Sequence, residues 1–352
     1  MLIQALDDKQ HCIGIYHEGK LIYDCDEFDL DAVSATWNYS PIFAQKDAVI
    51  ASLLVGGKSL DEVCPGFLRH RWETINARLK AFYKSFSTAK VSLDRHCFYD
   101  LVPQRFLLEY CEVKNKITQH ILNEYDKPEN YDFMRNLAEF TYNIRQQKLT
   151  VDYAEIARQS HHLKTRNFLK KSKYIKPYIS YNIHGTKTGR MTTYKGGFPI
   201  LTLDADYRTI LKPTNNYFVE LDYNAAELRV LLGLNGKEQP QDDIHQWNTD
   251  NIYRGTCTRE EAKKRIFAWL YNPKSKDYLS NRHYNRDEVL KKHFNGKQVK
   301  TFFDRQIEAD KHHALNYLIQ STTSDLVLSR AFKIADVLKE KKSFISFTLH
   351  DS

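Results

Sequence analysis

Apolar and polar positions alternate through CIGIYHEGKLIYD, residues 12–24, a period of two that predicts paired strands, and Glu18-Gly19 at its centre marks a hairpin turn. From Pro65 to Phe86 the period lengthens to that of a helix, and KSFSTAKVS, residues 84–92, has the small and polar character of a linker. Residues 104–158 give two long amphipathic helices broken at Pro128, with Leu107, Val113, Ile117 and Ile121 at helical intervals. After Tyr178 the glycines Gly185, Gly189, Gly196 and Gly197, with Pro199, forbid a long regular element. YFVELDY (217–223) then predicts a short buried strand feeding the helix AAELRVLLGL (225–234). Residues 258–271 and 305–339 are expected as helices, and SFISFTLHD (343–351) as a closing strand rich in β-branched and aromatic residues. The whole is an α+β pattern, with no internal repeat.

Composition narrows this only slightly. Lysine and arginine exceed aspartate and glutamate by 52 to 44, a net charge of +8 with a pI near 8.9. A polyanionic partner suits that balance, and so does an ordinary solvated basic surface. The six cysteines (Cys12, Cys25, Cys64, Cys97, Cys111, Cys257) form no CxxC pair, so reduced thiols and a cytoplasmic chain are expected. No apolar stretch approaches the ~18 residues of a membrane span, and the N-terminus MLIQALDDKQ lacks a signal-peptide pattern.

Candidate chemistry sits at three places. Asp222 and Asp351 each follow a predicted strand, where a rigid backbone aims a carboxylate; together they have the makings of a two-ion magnesium site. Taken singly, each has an alternative as a cap or turn residue. Between them Arg259, Lys263, Phe267 and Tyr271 recur every fourth residue, one stripe about 18 Å long on a helix. Cations at one end and aromatics at the other suit a triphosphate and a base, Lys263 being placed to protonate departing pyrophosphate. The alternative is an amphipathic helix with Phe267 and Tyr271 in the core. The helical pair of residues 104–158 likewise either grips a duplex backbone or is a hairpin with solvated lysines.

Taken in order, these segments resemble the motifs of family A DNA polymerases, the group of bacterial polymerase I and many phage replicases. LDYNAAELRVLLGL is similar to that family's first motif, RxxxKxxxFxxxY to the fingers helix of the second, and LHD to the third. TGRMTT, DDIH and HHALNYLIQSTTSD fall in the expected order among them, and the resemblance covers residues 104–352. It implies a right-handed fold of thumb (about 104–180), palm and fingers (about 181–352), preceded by a small α/β region, residues 1–103, whose role is not assigned.

The resemblance also implies roles. Asp222 and Asp351 would be catalytic and metal-binding, with the carbonyl of Tyr223 as a further ligand to magnesium. Arg259, Lys263 and His245 would contact the triphosphate, and Glu227 would be a sugar gate excluding a 2′ hydroxyl. Phe267 would flank the incoming sugar and base, and Tyr271 would sit near the templating position. Arg190 and Gln320 would read the minor groove, Asn316 would touch the template, and His350 the primer. The implied reaction is template-directed addition of deoxynucleotides to a primer 3′ end, with primer-template DNA and dNTPs as partners.

Some positions depart from the family pattern. Asn272-Pro273 follows Tyr271 where glycine is usual, His312 stands where arginine is common, and Ser352 where glutamate is common. No DxE occurs within residues 1–103, so no editing exonuclease is expected; Asp24, Asp26 and Glu27 suit a solvated turn. The compact N-terminal region points to a viral or phage replicase. The resembled fold continues past the third motif, so a C-terminal polypeptide supplying a returning strand is expected as a partner. Two rivals stand: a single-subunit RNA polymerase, disfavoured by Glu227, and a remnant that binds primed DNA without catalysis.

Overall fold

The computed structural model describes residues 1–352 except 9, 10, 25, 27, 44–46, 94, 351 and 352. The alternating N-terminal text folds as three antiparallel strands, β1 (Gln4–Asp8), β2 (His11–His17) and β3 (Lys20–Ile22). Glu18 and Gly19 both take positive φ, 44° and 82°. A two-residue hairpin turn needs that conformation to match the strand twist. A parallel pair, β4 (Ala35–Thr36) and β5 (Val49–Ile50), joins the edge of β1 through a parallel bridge between Leu2 and Ala35. The spatial order is therefore β3-β2-β1-β4-β5.

Three long helices follow, α1 (Gly66–Thr88), α2 (Gln104–Glu124) and α3 (Tyr131–Arg145), of which α2 packs on the sheet. Phe106, Leu107, Cys111, Val113, Ile117 and Ile121 of α2 are each at most 1% exposed. Their spacing of about three and a half residues keeps them on one face. That face packs on Leu68, Trp72 and Ile75 of α1, while Cys111 meets Leu6 and Tyr16 of the sheet. Each such side chain contributes about 1.5–3 kcal/mol by leaving water. The outer faces of α1 and α2 are laced by exposed ion pairs, Arg71 with Glu112 at 2.6 Å and Lys116 with Glu112 at 2.8 Å. Their cations are matched by glutamates beside them. The expected linker at 84–92 is mostly helix: α1 runs to Thr88 and stops where Lys90 turns left-handed at φ 56°.

The chain divides into two compact units, Met1–Gln146 and Gln147–Ser352. Helices α2 and α3, expected in the thumb, lie in the first unit, α2 because its apolar face closes on the N-terminal sheet and α1. Among the described residues Cys64, Cys97, Cys111 and Cys257 are free thiols; Cys25 and Glu27 lie outside them. Among the described residues no helix is long and apolar enough to cross a membrane.

In the second unit β6 (Thr150–Val151) pairs with β9 (Leu211–Lys212), and β7 (Tyr181–Asn182) with β8 (Thr192–Thr193). Helices follow: α4 (Ala226–Leu234), α5 (Ile244–Trp247), α6 (Arg259–Tyr271), α7 (Tyr278–Tyr284) and α8 (Arg286–His293). The hairpin β10 (Gln298–Lys300) and β11 (Gln306–Glu308) then leads into α9 (Ala314–Leu338). Leu228, Leu231 and Leu232 of α4, Ala262, Ile266 and Trp269 of α6, and Leu315, Leu318 and Ile319 of α9 form one core.

Three expectations change here. Residues 305–313 are not helix, because β11 pairs with β10 before α9 begins. YFVELDY forms no strand, and Tyr217, Val219 and Leu221 are 82%, 82% and 62% exposed. Residues 343–350 of SFISFTLHD are likewise irregular. These two segments lie side by side in the same sense, Asn215 Nδ2 donating to Lys342 O at 2.8 Å and the rings of Phe218 and Phe347 5.9 Å apart. Among the described residues no backbone ladder joins them. An alternating pattern supplies strand propensity, but a strand needs a hydrogen-bonded neighbour, and side-chain contacts take that place here.

Phe106→Ala removes a fully buried ring that Phe82 meets edge-on at 4.9 Å and that Arg78 overlies. The expected loss is about 3–5 kcal/mol of unfolding free energy, read by urea denaturation followed by circular dichroism; a loss within error of zero would overturn this account of the first core.

Candidate active site

Helix α6 begins in a capping box, Thr258 Oγ1 accepting from Glu261 N while Glu261 Oε2 accepts from Thr258 N at 2.8 Å. Two donors orphaned at the helix start are thereby satisfied. Ala262, Ile266, Trp269 and Leu270 turn into the core, which rotates the predicted stripe to the opposite, accessible side. Lys263 is exposed and makes no ion pair among the described residues, Phe267 is half-buried, and Tyr271 is 37% exposed. The alternative of two core aromatics is thus excluded for Tyr271. The Phe267 and Tyr271 rings stack, with centroids 6.0 Å apart and planes 10° from parallel, and His245 lies 5.7 Å from Phe267.

Glu227, in the first turn of α4, draws these parts together. Its Oε1 accepts from Arg190 Nη2 at 2.7 Å, and its Oε2 accepts from the Tyr271 hydroxyl. One carboxylate therefore joins the glycine-rich loop, α4 and the end of α6. It is mostly buried, so its two partners act with little competition from water. Arg190 also has a buried Nε with no hydrogen-bond partner, as does the Oδ1 of Asn316 on α9. Asn316 and Gln320 lie one helical turn apart, both half-buried.

A second cluster sits at the start of α6. Arg259 presents Nε and Nη2 to Asp243 at 3.2 and 2.7 Å and turns Nη1 to Glu260 at 2.6 Å. Asp243 also caps α5, accepting from Gln246 N at 2.8 Å, and accepts from Asn224 Nδ2 at 3.2 Å. The Arg259 guanidinium holds the Asp243 carboxyl well below the usual carboxylate range, with the Gln246 amide and Asn224 adding to it and burial opposing. His245, 4% exposed, has its imidazole pKa lowered, chiefly by burial, with Lys263 and Arg259 adding and Asp243 opposing. Sequence reasoning misses Asp243 and Asn224: DDIH is one of the ordered motifs, but only its histidine carries an expected role, and the available signal is an aspartate two residues before that histidine, in N-cap position for the helix that starts at Ile244.

Asp222 and Tyr223 lie on the exposed stretch just before Asn224. There Ala225 takes a left-handed φ of 50° to start α4, and Arg229 reaches back to the Asn224 carbonyl at 2.8 Å. A non-glycine residue in that region stores backbone strain, which the surrounding hydrogen bonds hold. Asp351 lies outside the described residues. His350, exposed, ends a segment pinned by Tyr181, whose hydroxyl donates to Thr348 O at 2.7 Å. Among the described residues no group of three or more histidine, cysteine, aspartate or glutamate side chains could hold a metal ion. Of the residues expected to hold magnesium, Asp222 and Tyr223 are among the described residues.

No protein-family model and no curated protein matches the chain. Among solved structures it is similar to the POL domain of Pol1 from M. smegmatis, in a complex with DNA primer-template and dNTP. The TM-score is 0.59 at 11% identity, covering 99% of this chain and 88% of that one. The two share a fold.

Because the folded Asp243 carboxyl is depressed, its stabilising effect is present above the unfolded value of about 3.9 and is lost as pH falls through the lower folded value. Asp243→Asn is therefore expected to lower the melting temperature at pH 7 and to differ progressively less from the parent as pH drops below about 4; a difference independent of pH would exclude the ion pair as its source.

Proposed function

We propose that the chain is a template-directed DNA polymerase that adds deoxynucleotides to a primer 3′ end. The observation that carries this reading is the Glu227 carboxylate shared by Arg190 and Tyr271, beside stacked Phe267 and Tyr271 on the helix that also presents Arg259 and Lys263. The fold shared with a polymerase domain bound to DNA primer-template and dNTP supports it. So does the order of the six sequence motifs, which resemble those of family A, including its phage-type members.

In this reading the incoming dNTP lies along the accessible side of α6. Its triphosphate meets Arg259, Lys263 and His245, with the planar fork of Arg259 suited to phosphate oxygens. Its base and sugar lie against Phe267 and Tyr271. Glu227, held on both oxygens, occupies the space a 2′ hydroxyl would need, so ribonucleotides are excluded by a rigid group. Lys263, exposed and unpaired among the described residues, donates a proton to the departing pyrophosphate. Arg190 and Gln320 read acceptor atoms in the minor groove, Asn316 meets the template and His350 the primer. Magnesium, two ions on Asp222, the Tyr223 carbonyl and Asp351, is the proposed cofactor; it would supply Lewis-acid stabilisation of the reacting phosphate.

A second reading, a chain that grips primed DNA without incorporation, is favoured by one observation: Asp222 sits on an exposed, irregular segment instead of the end of a buried strand. Primer extension with dNTPs and magnesium separates the two. The polymerase reading expects extension by the chain, loss of at least about a hundredfold in Asp222→Ala or Lys263→Ala, and retained affinity for primed duplex in both. Glu227→Ala is expected to narrow the preference for dNTPs over rNTPs. Tight duplex binding without extension would sink the polymerase reading in favour of the second.

A further inference from the structure

Asp325 lies in the middle of α9 with a fully buried carboxylate, and Arg305, from the loop between β10 and β11, meets it with the Nε–Nη2 edge of its guanidinium. Nε is 3.1 Å from Oδ2 and Nη2 is 2.9 Å from Oδ1. The loop that delivers Arg305 is itself fixed: Arg305 O accepts from Thr301 N at 3.0 Å, and Arg305 N donates to Thr301 Oγ1 at 3.2 Å. The other face of the guanidinium lies against Gly189. A Cβ on Gly189 would fall 2.5 Å from Arg305 Cζ, and Gly189 has a φ of +76°, so side-chain volume and backbone conformation both require glycine there. The next residue is Arg190, whose Nη2 bonds Glu227.

We infer that Arg305 is a positioning residue for Arg190: clamped by the buried Asp325, it forms the wall on which Gly189 rests and so fixes where the Arg190 guanidinium points. This rests on the polymerase reading, in which Arg190 touches the minor groove beside the nascent pair. A planar fork is needed because the carboxylate takes two parallel hydrogen bonds on one edge while the flat face packs against the glycine backbone. Lysine keeps the charge but provides neither the second parallel bond nor the flat wall. His184 feels the same guanidinium: burial, with Arg305 adding, pushes its imidazole down to about 4.

The test is a double-mutant cycle on the full chain, comparing Arg190→Ala, Arg305→Lys and the pair. Affinity for primed DNA and single-nucleotide incorporation are measured with matched and mismatched primer termini. Arg305→Lys is expected to reduce discrimination between the termini about tenfold, the scale of one lost base-edge contact, with little further loss once Arg190 is alanine. The paired replacement Arg305→Met with Asp325→Leu removes the clamp without leaving a buried unpaired charge, and is expected to give the same loss in a chain that still folds. Parent-like discrimination in either clamp variant, or losses that add to that of Arg190→Ala, would overturn the inference while leaving the polymerase reading intact. A parent chain that neither binds primed DNA nor extends it would overturn the reading and the inference together.

Discussion

A carboxylate removed entirely from water must be paired, and in the second unit that requirement falls on Asp325. Burial drives its carboxyl upward, and the answering guanidinium of Arg305 opposes that. Meeting the requirement fixes more than one contact. Helix α9 is held to the β10–β11 hairpin, the hairpin to the glycine-rich loop at Gly189, and α9 is packed on α4 and α6 through Leu315, Leu318 and Ile319. The apolar core supplies most of the stabilisation. The ion pair supplies the register, since a helix with leucine and isoleucine on several faces would otherwise find several acceptable rotations.

Two of the cations in the proposed site, both arginines, are arranged by the same logic of pairing. Arg190 is on Glu227, and Arg259 is on Asp243 and Glu260. An arginine already held in place loses little side-chain freedom when an anion arrives, which lowers the entropic cost of binding. For Arg259 the Asp243 bond engages one edge, whereas the partner on Nη1, Glu260, is 67% exposed. Were the proposed phosphate to take the place of Glu260, the attraction gained would be offset by the attraction surrendered, an exchange that would favour turnover over tight retention.

Local signals made much of this legible beforehand. The α2 face at Leu107, Val113, Ile117 and Ile121, the Glu18-Gly19 turn, and the α6 stripe at Arg259, Lys263, Phe267 and Tyr271 each follow from a period or a turn preference within a few residues. The fold is shared with a polymerase domain, as the ordered motifs led one to expect. What failed was anything whose partner is distant. YFVELDY has the composition of a buried strand, but burial depends on a neighbouring strand that no local pattern specifies. Residues 305–313 looked like the start of α9, yet their turn carries no Asn-Gly or Asp-Gly signal, and Asp304 instead takes φ 58° to close the hairpin. Asp243, Arg305 and Asp325 were passed over because a single charged letter does not say which opposite charge it meets.

The exposed side chains of Tyr217, Val219 and Leu221 bear on the protein's behaviour in concentrated solution. Backbone amides and carbonyls with no ladder partner among the described residues, next to water-exposed aromatic and β-branched groups, make a template on which another extended chain can add. Glu220 and Asp222 interrupt that surface at every second position, so two copies brought together there would oppose like charges. The acidic residues within the segment thus serve colloidal solubility, and replacing Asp222 by a neutral residue removes one of the barriers to self-association.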